Sequence, residues 1–264
     1  MSNLKTIIIV GLIVALPFLG GAADERETKS VKGTAGQLDE NKQVDQKPGK
    51  TTASSTVKIS MDKPVYKPPL RGSPAGRVGG GTRGMTERES FSLQVLAPNH
   101  IGLTVHDQPS LYWYVSKPIP HPIEVTVIEK NAVKPLVEKV INGPEMGGIQ
   151  AIHLADYGVH LRRDVPYKWF VTLVTDPDHR SKDIMAGGLI TLVEPSPSLS
   201  AKLKVTSSNK APYVYAEEGV WYDALEAISR MIDASPANAG LRKQRASLLE
   251  QVGLSDVAEF ENRQ

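Results

Sequence analysis

Hydrophobic and polar residues alternate in short runs between residues 91 and 195. Short alternating runs are typical of half-buried β-strands. We expect strands at 91–96, 102–105, 111–115, 123–127, 136–141, 149–154, 167–174 and 189–193. Turn residues separate these runs, and no helical pattern falls between them. The spacing therefore predicts a mainly β fold, an immunoglobulin-like antiparallel β-sandwich over residues 91–215, rather than a parallel α/β sheet.

After residue 216 the apolar residues recur at helical spacing, from Val220 to Met231. This pattern predicts a helix that ends at Ser235-Pro236, and a second helix over about 237–252. Gly253 is the expected stop of the second helix, and a third short turn is expected from Ser255, with Ser255 as its cap. The chain from 216 to 264 is therefore predicted to be a C-terminal α-helical hairpin.

The first residues have the pattern of a targeting segment. Lys5 is followed by an apolar run over 7–19 and then by small residues up to Ala23. This order is typical of a secretory signal peptide, predicted here as 1–23 with cleavage after Ala22 or Ala23. The alternative is an uncleaved helix that anchors the chain in the inner membrane, but the run is shorter than a membrane span needs and Pro17 interrupts it. We expect a secreted or periplasmic protein that meets the membrane only through the signal peptide.

Residues 24–56 carry equal numbers of acidic and basic residues and no aromatic residue. Such a segment cannot bury enough apolar surface to offset its ordering entropy, so we expect a disordered tether. Residues 57–90 are basic and rich in Gly and Pro, with Arg71, Arg77 and Arg83 at intervals of six. No helix or central strand is compatible with that composition. The arginines either face an anionic polymer or an acidic partner, or cap carbonyl groups while the segment packs along the sandwich, which we favour.

Three aromatic residues are expected to be structural. Tyr167 follows Leu161 by six residues at the start of a late strand, which is typical of a tyrosine corner whose hydroxyl bonds to the preceding backbone. Trp169 points to the same face as Tyr167, and Trp113 is expected to meet it from the middle of the domain.

Composition excludes several classes of site. The 264 residues contain no cysteine, which removes disulfides, thiolate metal sites and thiol nucleophiles. The formal net charge of +2 does not suit a nucleic-acid-binding surface. No histidine pair has metal-ligand spacing, so no metal or cofactor is expected; His153, Asp156 and His160 would be the first ligands to test.

The motifs of the chain resemble one bacterial family, domain of unknown function 928. The resemblance covers about residues 68 to 254 and rests on Arg71-Gly72-x-Pro74-x-Gly76-Arg77, Gly79-Gly80-Gly81-Thr82-Arg83, Leu96-Ala97-Pro98, Gly102-Leu103-Thr104, Pro109-x-Leu111-Tyr112-Trp113-Tyr114, Gly148-Ile149, Tyr167-x-Trp169 and Gly219-x-Trp221-Tyr222-Asp223-Ala224-Leu225. It implies a secreted or periplasmic protein and carries over no catalytic residue. Asp164 departs from the family pattern, which has a turn glycine there.

Two classes of function follow. The first is a non-catalytic cell-envelope protein that binds an envelope protein or an anionic polymer through its sandwich and its arginine-rich segment. The second is an envelope hydrolase, in which two of the carboxylates Glu124, Glu129 and Asp156 act as acid and base on a polysaccharide or ester. No nucleophile with its base is evident in the sequence, so we favour the first.

Overall fold

A computed structural model of the chain describes residues 63–69, 76–79 and 91–264. The predicted signal peptide and tether lie outside these residues. The strands are β1 (Val78–Gly79), β2 (Leu93–Val95), β3 (Gly102–Thr104), β4 (Ser110–Val115), β5 (Ile123–Glu129), β6 (Val137–Ile141), β7 (Gly148–His153), β8 (Pro166–Leu173) and β9 (Ile184–Leu192). The helices are α1 (Pro197–Val205), α2 (Ala211–Glu217), α3 (Trp221–Ala234), α4 (Ala239–Gln251) and α5 (Ser255–Arg263). The predicted mainly β architecture is confirmed as two largely antiparallel sheets followed by helices.

The larger sheet has the order β1-β9-β8-β5-β6, and β3 pairs in parallel with β9 on the same side as β1. Alternation explains its central strands, because every second residue of β8 is buried and lies beside a buried residue of β5 or β9. Strand β1 was not expected from the sequence. It contributes only two residues at the margin of the sheet, where Gly79 adopts a φ of +75° that favours glycine.

The smaller sheet has the order β2-β4-β7. Every residue of β4 is buried, so β4 is covered on both faces. On one face Tyr114 packs against Phe260 of α5, with ring centroids 5.2 Å apart. Residues Leu111, Trp113 and Val115 point to the opposite face and belong to the core cluster that both sheets share.

The predicted helical hairpin is wrong in extent, because five α-helices follow β9 and the first begins at Pro197. Helix α1 escaped the sequence analysis because it buries only Leu199, which leaves no apolar stripe to recognise. Ser196 starts α1 by accepting a hydrogen bond from the backbone N–H of Leu199. Gly219, with a φ of +76°, separates α2 from α3.

The two helices that were expected correspond to α3 and α4. Asn238 caps α4 by accepting from the backbone of Gly240 and Leu241, and Gly253 follows α4 with a φ of +71°. The predicted cap at Ser255 is wrong. Ser255 is the first residue of α5, and its hydroxyl donates to Glu250 instead.

The first turn of α3 fixes the helices to the strands through three successive residues. The indole Nε1 of Trp221 donates to the Leu96 carbonyl at 2.8 Å. The hydroxyl of Tyr222 donates to the carbonyl of Leu189 at 2.9 Å. The carboxylate of Asp223 accepts from the backbone N–H that follows β3, at 3.2 Å. Helix α3 is therefore fixed to the larger sheet at β3 and β9 and to the segment that follows β2.

Candidate functional site

Arg77 is packed against the C-terminal end of α4. Its Nη1 donates to the carbonyls of Ala97 and Val252, each at 3.3 Å, and its Nη2 donates to the carbonyl of Gly253 at 3.1 Å. Burial lowers the pKa of Arg77. At this residue the guanidinium caps carbonyl groups of its own chain, the packed alternative of the sequence analysis.

The glycine before Arg77 lets the backbone approach closely. A Cβ on Gly76 would lie 2.0 Å from the carbonyl oxygen of His100, so no larger residue fits there without movement. Arg71 and Arg83 lie outside the described residues.

The three aromatic residues singled out from the sequence are buried. The hydroxyl of Tyr167 accepts a hydrogen bond from the backbone N–H of Arg162 at 3.1 Å, the predicted corner bond. Trp169 donates to the hydroxyl of Tyr222 at 2.9 Å. Trp113 is 1% exposed, and its Nε1 has no hydrogen-bond partner among the described residues.

The corner before β8 also accommodates Asp164, which has a φ of +59°. Its backbone N–H donates to the carbonyl of Leu192 at 2.8 Å. An aspartate tolerates this left-handed backbone better than most residues, although glycine would be less strained. Asp164 thus holds a left-handed backbone conformation at the turn before β8.

The carboxylates proposed for hydrolysis do not form a pair. Glu124 accepts two hydrogen bonds from Arg180, at 2.8 and 2.6 Å, and these lower the pKa of Glu124. Glu129 is bound to Arg162. Glu124 and Glu129 are five residues apart on β5, so they point to opposite faces. Asp156 is exposed in a short 3-10 helix that spans Leu154–Tyr157.

Three of the histidines each contact a different partner. The Nδ1 of His153 lies 2.7 Å from the hydroxyl of Ser110, and the Nδ1 of His160 lies 2.7 Å from a carboxylate oxygen of Asp107. His106 is bound to the buried carboxylate of Asp223, and this bond raises the pKa of His106. Within the described ranges, no group of three or more His, Asp and Glu residues is arranged to hold a metal ion.

One cleft combines concave shape with polar groups, and sequence analysis did not find it. It lies where β7 meets the helical region and has a volume of about 360 Å³. Its floor is formed by Tyr112 of β4 with Ile149 and Ala151 of β7. Its wall is formed by α3, α4 and α5 and by Gln264, which follows α5. The helices contribute Ser229, Ile232, Asp233, Arg242, Arg245, Phe260 and Glu261.

A buried ion pair holds that wall together. The Nε of Arg245 donates to a Glu261 carboxylate oxygen at 2.7 Å, and its Nη1 donates to the hydroxyl of Ser229 at 3.1 Å. The side chains of Arg245 and Glu261 are 6% and 1% exposed. This bond network joins α3, α4 and α5, so it fixes the three helices of the wall relative to one another.

Small residues keep the β7 side of the cleft open. Gly148 has a φ of +136°, and a Cβ on it would lie 3.6 Å from the ring of Phe260. Ala151 is exposed on the floor, directly opposite Tyr112 in the strand register. Burial and the nearby Glu226 raise the pKa of Tyr112 to about 12, so its hydroxyl is neutral near pH 7. The floor is therefore uncharged.

The backbone of β7 presents free hydrogen-bonding groups beside the cleft. Tyr112 and Tyr114 direct their backbone groups to β2, since the Tyr112 carbonyl accepts from Leu96. Alternate residues of β4 therefore bond to β7, where they meet Gly148, Gln150 and Ile152.

The other three residues of β7 face away from β4. Ile149, Ala151 and His153 direct their N–H groups outward, and Ile149 and Ala151 also direct their C=O groups outward; these groups have no partner among the residues that the structure describes. The C=O of His153 instead begins the 3-10 helix that spans Leu154–Tyr157. The row therefore offers three donors and two acceptors, so it can pair with a further extended chain.

One hydroxyl–histidine contact lies beside the cleft, which His153 lines. Ser110 is the hydroxyl that lies against a histidine, but it is 2% exposed and its backbone N–H is bound to Glu226. A buried hydroxyl cannot reach a substrate. Sequence analysis did not predict the cleft, because charged residues such as Arg245 and Glu261 are usually exposed on helices. Gly148 was one motif residue among several.

Comparison with known proteins gives one assignment. The family model described as Domain of Unknown Function (DUF928) matches residues 78–261 of the chain. A search of curated proteins found no match. Among solved structures, a multi-domain immunophilin from Arabidopsis thaliana is similar at 6% sequence identity, with 66% of this chain and 93% of that chain covered and a TM-score of 0.16. That likeness is too weak to support an argument about fold or function.

Proposed function

Since the chain belongs to the family Domain of Unknown Function (DUF928), we propose its function from its own geometry: it is a non-catalytic cell-envelope protein that binds a protein partner in the cleft between β7 and the helices. The cleft is the observation that carries this proposal. It joins an uncharged floor to a wall fixed by the Arg245–Glu261 pair. A pre-formed concave site with a few placed polar groups is the usual form of a binding site.

The contacts of Glu124, Glu129 and Arg77 favour binding at the cleft over hydrolysis or polyanion binding at these residues. Glu124 and Glu129 are each held by an arginine, which leaves neither free to act as an acid. The guanidinium of Arg77 is occupied by three carbonyl groups. The cleft is thus the better candidate for contact with a partner.

We also infer that the two sheets form an immunoglobulin-like sandwich. Three observations favour this fold. Strand β4 lies between β2 and β7, strand β3 runs parallel to β9, and Tyr167 makes a corner bond just before β8. In such folds the loops and sheet edges commonly carry binding surfaces, as the cleft beside β7 would here.

We further propose that the protein is exported, with 1–23 removed as a signal peptide. None of the helices in the described residues is long and apolar enough to cross a bilayer. N-terminal sequencing of the protein extracted from cells tests this. A start at Ala23 or Asp24 supports export with cleavage, whereas an intact N-terminus in the membrane fraction supports an uncleaved anchor.

Photo-crosslinking tests the binding function. A crosslinking phenylalanine analogue is placed at Met146, which is 75% exposed at the cleft, or at Val140, which is 66% exposed on β6 away from it. We expect a discrete crosslinked protein from Met146 and none from Val140. Equal products from both positions contradict a partner at the cleft. A carbohydrate or ester whose cleavage depends on this protein would instead favour the hydrolase.

A further inference from the structure

We propose that the partner enters the cleft as an extended segment of another protein, which adds a fourth strand to the smaller sheet at β7. This inference rests on the proposed binding function and specifies how the partner is recognised. The outward row formed by Ile149, Ala151 and His153 supplies three donors and two acceptors at the spacing of a strand. A ligand that contacted only the side chains of the cleft would leave these backbone groups bonded to water.

The length of the row suits a short peptide segment. Strand β7 has six residues from Gly148 to His153, which extend over about 20 Å. An extended peptide of about six residues matches that length. Every second side chain of the peptide would point over Ile149 and Ala151 towards the helical wall, so we expect alternating apolar or small residues in the peptide.

Strand β7 lacks the residues that usually protect an edge strand from pairing. Natural proteins protect exposed edge strands with charged residues, proline or bulges. Strand β6, which ends the larger sheet, carries Glu138 and Lys139, which are exposed. Strand β7 reads Gly-Ile-Gln-Ala-Ile-His and contains no proline, acid, lysine or arginine. The β7 edge is thus open to pairing, whereas β6 carries charges against it.

The helical wall adds selectivity for a single strand. Helices α3, α4 and α5, which the network of Arg245, Glu261 and Ser229 joins, line the cleft together with Ile149 and Ala151. We expect this edge to admit a single extended strand, because a second folded domain would meet the helices first. This arrangement favours a flexible peptide segment over a folded surface.

The test begins with a displayed library of random twelve-residue peptides, selected on the full mature chain. A selected peptide is then synthesised with N-methyl groups on odd or on even backbone amides. We expect methylation of one alternate set to weaken binding to the wild-type protein by ~10-fold or more, because each lost hydrogen bond is worth about 1 kcal/mol. Methylation of the other set should have little effect. Equal tolerance of both sets, or a library that yields no binder, overturns the inference.

Matched proline variants locate the site. Ala151→Pro removes an outward N–H without removing a bond to β4, and proline is tolerated at such edge positions. Val140→Pro makes the equivalent change on β6, because Val140 faces away from β5 in that register. We expect Ala151→Pro to abolish peptide binding and Val140→Pro to preserve it. Binding that survives Ala151→Pro in a folded protein contradicts pairing at β7.

Two measurements on the free chain identify other occupants. Rapid hydrogen exchange at the amides of Ile149, Ala151 and His153 is expected, because they face solvent. Protection of these amides in a monomer would mean that another segment of the same chain fills the edge. Protection that depends on protein concentration, with a dimer in sedimentation, would mean pairing between two copies. Both results overturn the inference. The two proposals can also be separated. If a partner is crosslinked at Met146 and Ala151→Pro still binds the peptide, the proposed function holds but strand addition is excluded.

Discussion

The indole of Trp169 donates a buried hydrogen bond of 2.9 Å to the hydroxyl of Tyr222, which joins strand β8 to helix α3. The same hydroxyl donates to the carbonyl of Leu189 on β9 at 2.9 Å. Tyr222 is 1% exposed, so water does not replace either bond. One side chain thus holds the helical region, and with it the wall of the cleft, to the larger sheet.

Removing that hydroxyl should destabilise the whole fold. Tyr222→Phe leaves the Trp169 N–H without an acceptor and takes the donor from Leu189, so we expect a loss of about 1–3 kcal/mol in the free energy of unfolding. Urea denaturation followed by circular dichroism measures it. Tyr157→Phe, at an exposed tyrosine, is the control and should change stability little. Equal stability of the two variants contradicts the role given to Tyr222.

The buried tryptophans should differ in how much their N–H groups matter. Trp113→Ala and Trp169→Ala should each cost about 3–5 kcal/mol, as for other buried aromatics. Trp113→Phe should lower the free energy of unfolding less than Trp169→Phe does. Of these two indoles, that of Trp169 donates a hydrogen bond, whereas the Trp113 N–H has no partner among the described residues. Denaturant melts of the four variants test this order, and a reversed order of the two Phe variants would be inconsistent with these contacts.

The tyrosine corner should make a smaller contribution. Tyr167→Phe removes the bond to the backbone of Arg162 and should cost about 1 kcal/mol in unfolding free energy. The same melts measure the loss, and Tyr157→Phe again serves as the control. No loss at Tyr167 would show that this bond adds nothing to the fold.

The buried ion pair of the cleft wall should be sensitive to the removal of one partner. Glu261→Ala leaves Arg245 charged and buried, so we expect a loss of about 3–5 kcal/mol. The double variant Arg245→Met with Glu261→Leu should recover most of the stability, because neither charge remains. Thermal and urea unfolding of the single and double variants test this. A double variant as unstable as Glu261→Ala would contradict a charge-based cause.

The pair of His106 and Asp223 should make stability depend on pH. Because the bond to Asp223 raises the pKa of His106, the folded state favours the protonated ring. This stabilisation is fully present below the unfolded pKa of about 6.5 and is lost as pH rises through the raised folded pKa. Two other charged groups near the ring have opposite effects on its pKa: Glu226 raises it and Arg230 lowers it.

The measurement compares wild type with His106→Gln. The difference in unfolding free energy between them should be larger near pH ~5.5 than near pH ~9, which lie on either side of the titration. His121→Gln removes an exposed histidine elsewhere and should show no such trend. A pH-independent difference for His106→Gln would mean that the ring's charge does not contribute.

Arg77 should contribute to stability rather than to polyanion binding. Arg77→Gln breaks contacts with three carbonyls, so we expect a loss of about 1–3 kcal/mol. Hydrogen exchange at 76–79 should also become faster in this variant. Lys134→Gln, at an exposed lysine, is the charge-matched control. Unchanged stability with lost, salt-sensitive polyanion binding would instead favour a free arginine.

Strand positions follow closely from the sequence, because alternation is a local property that burial on one face imposes. Each of the eight expected strands is present, and β8 agrees with its expected segment to within one residue at either end. The residue-level corner bond of Tyr167 was also predictable, since donor and acceptor are five residues apart.

Helices α1 and α2 were not predictable in the same way. Leu199, Val214 and Val220 form their own small apolar cluster, and each helix contributes too few buried residues to set a period. Their burial arises from contact between segments, which hydrophobic spacing along one segment does not reveal.

The sequence by itself determined the β class, the strand positions and the positions of α3 and α4, because these depend on spacing within each segment. Only the tertiary structure decided where charges and backbone groups meet. The backbone N–H of Val105 reaches Asp223 across 118 residues, and Arg245 finds Glu261 on the next helix. The open edge of β7 likewise depends on which strand pairs with it. Such contacts arise when distant segments pack together. The sequence around one partner does not indicate which residue the other partner will be.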